Sequence, residues 1–118
     1  MELLSAIVIL LVALLHIYFM ILELFLWDKP AGLRAFGQTR EKAAATKTLA
    51  ANQGLYNGFL VAGLLWGIFQ GEAGYDFKLF FLLCVIIVGL YGGLTVNKKI
   101  LFIQALPAFI GLMLLVFS

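Results

Sequence analysis

At 118 residues, with 64% hydrophobic and 12% charged side chains, the chain has too little polar surface to cover a water-soluble globule, for which about 45–50% apolar and about 25% charged are usual. The composition predicts an integral membrane protein of one domain, residues 1–118. A net charge of +2, with its basic residues at the borders of apolar runs, excludes a nucleic-acid surface, and a lone Cys84 excludes an internal disulfide.

Four apolar runs predict helices at about residues 3–27, 40–70, 77–96 and 99–117. Each holds the ~20 residues that cross a ~30 Å hydrocarbon core. Spanning strands would need alternating polarity over about 9–11 residues, and the runs do not alternate. Lipid also requires backbone groups to be satisfied within the segment. The expected fold is an all-α membrane protein, a four-transmembrane-helix antiparallel bundle.

The first helix carries Glu2 in place of a basic leader and has no small-residue cleavage site after it, so it reads as a retained span. It contains two polar residues, His16 and Glu23, and ends at Trp27 before Pro30 and Gly32. The following stretch, AGLRAFGQTREKAAATK, mixes Leu33 and Phe36 with Arg34 and Arg40 and is expected to lie along the membrane surface. Thr39 is placed to cap the second helix, with Glu41 in its first turn.

The second helix carries Gly54 and Gly58, then Gly63 and Gly67. At 100° per residue these pairs line opposite faces, and the third helix adds Gly89 and Gly93 at the same spacing. Such small-residue faces let helices approach closely in lipid. One face is expected to serve the bundle, and the other either the bundle or a second subunit in a homo-oligomer. QGEAG ends the second helix, Asp76 is placed to cap the third, and VNKK forms a tight turn into the fourth. On that last helix Gln104, Pro107 and Gly111 share a face, and Pro107 cannot donate to the carbonyl of Ile103.

Basic residues orient the chain. Lys29, Arg34, Arg40, Lys42 and Lys47 cluster around the first loop, Lys98 and Lys99 form the third, and only Lys78 adjoins the second. The positive-inside rule then puts loops one and three in the cytoplasm and both termini outside, in a multi-pass protein of the cell membrane.

The polar residues within the spans are His16, Glu23, Asn52, Gln53, Asn57, Tyr91, Thr95 and Gln104. Counted from the cytoplasmic ends at 1.5 Å per residue, Glu23, Gln53, Tyr91 and Gln104 fall in one layer. His16 and Asn57 fall one level deeper. His16 and Glu23 differ by about 700°, close to two full turns, so they share a stripe with Trp27. These depths predict a polar cavity open to the cytoplasm. Taken singly, Glu23 could be a carboxylate paired with a first-loop Lys or Arg, and His16 a neutral imidazole bonded to Asn57 or a carbonyl. One His and one Cys make no usual metal set, and no phosphate-binding loop, dinucleotide fingerprint or hydrolase elbow is present. Neither a metal nor a cofactor is expected.

The segments HIYFM, Glu23, FLW, LAANQGLYNGF, AGLLWG, YGGLTV and ILFIQALPA, in this order, resemble a family of small bacterial membrane proteins catalogued as domain of unknown function 1304. The resemblance covers essentially the whole chain. It implies a four-helix membrane architecture, no assigned activity, and signature positions at His16, Glu23, Asn52, Gln53, Asn57, Gln104 and Pro107.

Three functions fit these residues. The leading one is a cytoplasm-facing site that binds, or carries in exchange for a proton, a small polar or amphipathic ligand. His16 and Glu23 would be its titratable pair, with Asn52, Gln53, Asn57, Tyr91 and Gln104 around the ligand. A membrane-embedded enzyme acting on a lipid-like or thiol substrate would use His16 and Glu23 as acid and base. A structural assembly partner would use the polar layer only to fix helix register.

Overall fold

The computed structural model describes residues 2–118 and is all-helical. Helix α1 runs Glu2–Phe25, α2 Pro30–Phe36, α3 Arg40–Phe69, α4 Tyr75–Thr95 and α5 Leu106–Val116. A 3-10 turn, Gly71–Gly74, precedes α4, and a π turn, Leu101–Ala105, precedes α5. By length and composition Glu2–Phe25 and Gly71–Thr95 are long and apolar enough to cross a membrane, and Leu101–Val116 is a shorter apolar helix.

Two compact units divide the chain: residues 15–59, and residues up to 14 together with 60–118. In the second of these, a dry core joins Ile9, Val12 and Ala13 of α1, Leu64 of α3, Leu82 and Val85 of α4, and Ala108, Leu112 and Leu115 of α5. Small residues bring its backbones together. A Cβ at Gly63 would collide with the ring of Phe81, and one at Gly89 would lie 2.7 Å from the Ala105 nitrogen. The turn into the last helical segment is closed by Asn97, whose Oδ1 accepts from the Lys99 N–H at 2.9 Å.

The unit of residues 15–59 is a helical hairpin with a short helix in its bend. The end of α1 faces the start of α3 through small and polar residues. On α3 these are Ala43, Thr46, Ala50, Gln53, Gly54 and Asn57, a three-four spacing that keeps one stripe on one side of a helix. Thr39 caps α3 as expected, its Oγ1 accepting from the Lys42 N–H at 3.2 Å.

Four local readings of the sequence change. The first helix stops at Phe25, and the segment after Pro30 is itself helical. Proline suits a first helical position, where its missing N–H would be unpaired anyway. Helix α2 ends at Gly37, whose φ of 59° is the left-handed conformation glycine adopts freely, with the Gln38 N–H returning to Leu33 O at 3.0 Å. Asp76 does not cap α4. The 3-10 turn starts the helix at Tyr75, so Asp76 sits inside the first turn, where its charge still complements the helix dipole. The fourth predicted helix is not uniform: ahead of Pro107 the Leu106 N–H reaches back five residues to Leu101 O. This wider turn gives the proline ring room beside the upstream carbonyls.

Both glycine pairs of α3 are occupied by helices of this chain. Gly54 and Gly58 meet Glu23, Leu24 and Met20 of α1, whereas Gly63 and Gly67 meet Phe81 and Lys78 of α4. Of the two alternatives for these faces, the internal one describes the geometry.

Candidate functional site

The polar residues that the fold brings together lie in the unit of residues 15–59. Glu23 is 2% exposed, and each of its carboxylate oxygens accepts a hydrogen bond from an amide of α3. Gln53 Nε2 donates to Oε2 at 2.7 Å, and Asn57 Nδ2 donates to Oε1 at 2.5 Å. Gln53 and Asn57 are four residues apart, one turn of helix, so the two amides bracket the carboxylate from above and below.

Gly54 makes that approach possible. A Cβ there would lie 3.0 Å from Glu23 Cβ and 3.2 Å from the Leu24 nitrogen, so any larger residue would press the helices apart. No lysine or arginine is in ion-pair contact with Glu23 among the described residues. The basic partner available at this end of the hairpin, Lys47, goes instead to Asp28 at 3.1 Å. That contact holds the Asp28 carboxyl below its ordinary range. Pairing of Glu23 with a first-loop cation, one of the sequence alternatives, is therefore not what the fold makes.

Aromatic rings cluster at the same end of the hairpin. Phe19 lies on α1, and Trp27 in the turn that follows it. Phe36, from α2, has its ring centroid 6.5 Å from Phe19 and 4.8 Å from Trp27. The Trp27 indole N–H donates to Thr46 Oγ1 at 3.1 Å, which ties the turn after α1 to α3. His16, buried at 1% exposure, sits edge-on to Phe19 with centroids 5.8 Å apart.

The remaining sequence candidates are placed differently. The Asn57 amide nitrogen serves Glu23, although counting depths had matched Asn57 with His16. Asn52 is exposed. Tyr91 and Gln104 belong to the other unit: Tyr91 is 71% exposed, its carbonyl accepting from Thr95 Oγ1 at 2.7 Å, and Gln104 is half-buried within the π turn. A cleft of about 440 Å³ in that unit, lined by helix ends including Glu72, Tyr75 and Lys78, contains none of the candidates. Sequence reasoning missed Phe36 as the ring that pairs with Phe19 and Trp27. The only signal for it was a bulky ring in a loop otherwise rich in small and charged residues.

A buried acid solvated by two neutral amides can hold a positive charge or a proton without a protein cation. No group of His, Cys, Asp and Glu capable of holding a metal ion occurs among the described residues.

The family model described as "Protein of unknown function (DUF1304)" matches residues 10–116. The chain belongs to this family. It is also 39% identical over 114 residues to the uncharacterised protein YpaA of Lactococcus lactis, an alignment covering 95% of this chain and 96% of that protein. No solved structure matches it.

Proposed function

We propose that this member of the family is a four-span membrane protein that binds, and carries in exchange for a proton, a small polar or amphipathic ligand at Glu23. The spans are α1, the apolar part of α3, α4, and the segment Leu101–Val116. Both termini are then on the non-cytoplasmic side of the cell membrane. Large apolar side chains left exposed along all four segments, among them Leu3 at 74%, Phe69 at 82% and Leu94 at 81%, support a lipid surround. The clustering of basic residues in the first and third loops supports the orientation.

One observation carries the ligand reading: Glu23 is buried and held by two amides with no lysine or arginine contact. Ionisable residues inside spans are costly and by default mark functional positions. A carboxylate keeps lone pairs beyond the two used here, so an incoming ligand can be added without breaking the amide bonds. The acid–base enzyme reading has less support, since seven residues separate His16 from Glu23 by about 10 Å along the helix. That distance is long for two groups acting on one bond.

The test uses protein in lipid nanodiscs and a metabolite panel read by thermal shift. Ligands that raise the Tm of the wild type should fail to do so in Glu23→Gln, and should be weakened in His16→Ala. If both variants fold and every shift matches the wild type, the site is not at Glu23. The structural reading is favoured by the fact that both carboxylate oxygens are already occupied. It predicts that Glu23→Gln lowers Tm and that no compound shifts any of the proteins.

A further inference from the structure

The cleft of about 440 Å³ carries charges that the Glu23 site does not use. It lies where α1 begins, α3 ends, α4 begins and α5 ends, and every residue on its wall belongs to the unit of the dry core. We propose that this cleft seats the phosphoethanolamine headgroup of a membrane phospholipid. The proposal rests on the four-span reading but not on Glu23.

The first support is the pairing of signs. Glu2, Glu72 and Lys78 all line the cleft, yet among the described residues none of them forms an ion pair. They stand around an open volume within the ~300–1,000 Å³ usual for small-molecule sites. A ligand of one sign would leave the opposite wall unanswered, whereas a zwitterion answers both. Phosphate oxygens accept from the Lys78 ammonium, and a primary ammonium donates to the carboxylates. A trimethylammonium has no N–H to donate.

The second support is how Lys78 is held. Its stem crosses Gly67, where a Cβ would lie 2.7 Å from Lys78 Cγ, and a Cβ at Gly74 would collide with the Gly67 carbonyl. The two glycines bring the end of α3 against the start of α4, with the half-buried lysine stem packed on α3. In the four-span orientation Lys78 is also the one Lys or Arg of eight on the non-cytoplasmic side. A positive charge kept there, against the positive-inside bias, is explained by an anionic group that it holds.

The third support is the mixed wall. Leu3, Ile68 and Leu115 line the cleft beside the charges. Four helix ends mark one border of the bilayer, the level at which headgroups stand. A phospholipid uses both halves of the cleft, its headgroup among the charges and the start of its acyl chains on the apolar wall.

The test begins by scoring incorporation of the protein into phosphatidylcholine nanodiscs. Protein that stays out overturns the spans and the headgroup site together; protein that enters tests the cleft alone. Phosphatidylethanolamine or phosphatidylglycerol of the same acyl chains then replaces part of the phosphatidylcholine, and retained lipid is counted by native mass spectrometry. Phosphatidylethanolamine should be retained about fivefold over the other two. Glu72→Gln and Lys78→Gln should each remove most of that preference with unchanged helical circular dichroism. Lys99→Gln, beyond the far end of α4, should keep it. Should Lys78→Gln lose helicity, Glu72→Gln, in an exposed turn, decides alone. Equal retention of phosphatidylethanolamine and phosphatidylcholine, greater retention of phosphatidylglycerol, or an equal loss in Lys99→Gln would overturn the headgroup assignment. Soluble phosphoethanolamine added to phosphatidylcholine discs should leave Tm unchanged. A rise that is lost in Glu72→Gln would overturn the lipid as the source of the group.

Discussion

The two units hold their helices together with different side chains. In residues 60–118, with the start of α1, Leu64, Leu82, Val85 and Leu112 interlock in an apolar core. In residues 15–59 the α1–α3 seam is built from alanine, glycine, threonine, two amides and an acid. Both units use close backbone approach at glycines. The first adds dispersion among bulky side chains, the second a few directional bonds. The second unit is the one that buries an acid, Glu23.

Core truncation should separate the units most sharply. Leu82→Ala removes a fully buried side chain and should cost about 2–5 kcal/mol, measured as reversible unfolding in lipid. Gly54→Ala should cost about 1–3 kcal/mol, because its Cβ meets Glu23 Cβ and the Leu24 backbone. Gly111→Ala, whose nearest atoms lie at 3.5–3.6 Å, should be close to neutral. If Gly111→Ala proves as damaging as Gly54→Ala, close backbone approach does not set the cost.

The legible part of this comparison was its periodicity. Apolar runs located the helices, the small-xxx-small pairs of α3 marked both of its contact faces, and Thr39 announced its own cap. Glu23, Gln53 and Asn57 stood out as polar groups at helical spacing within apolar sequence. What stayed hidden depended on contacts across the chain. Pro30 and Gly32 read as helix breakers, yet they start and seat α2, and with it Phe36. Lys47 looked available to Glu23 until Asp28, one turn further on, took it.

Smaller effects refine the picture. Asn57→Ala should destabilise by about 0.6–1.7 kcal/mol, the range for side-chain hydrogen bonds between membrane helices. Gln53→Ala should cost less, because Gln53 is the more exposed of the two amides. Equal losses would mean that the carboxylate binds them equivalently. The faintest signal concerns Asp28, whose carboxyl is lowered by Lys47. A lowered acid stabilises the fold above its unfolded value near ~4, and that contribution disappears as pH falls through the still lower folded value. Wild-type Tm should therefore fall slightly more than that of Asp28→Asn between neutral pH and about pH 3; parallel curves would show the pair to be idle.

The π turn before α5 resembles a dislocation in a crystal: one surplus residue, with regular lattice on both sides. Such a defect can glide, shifting by one position and rotating the residues it passes by about 100°. Here Pro107 pins it, since the helix must remain open where that nitrogen has no hydrogen. With alanine at 107 the defect would be free to migrate or to be expelled toward the Asn97 turn, and Gln104 would change the side of the helix on which it lies. The proline thus acts as a fastener that decides which way a neighbouring amide faces.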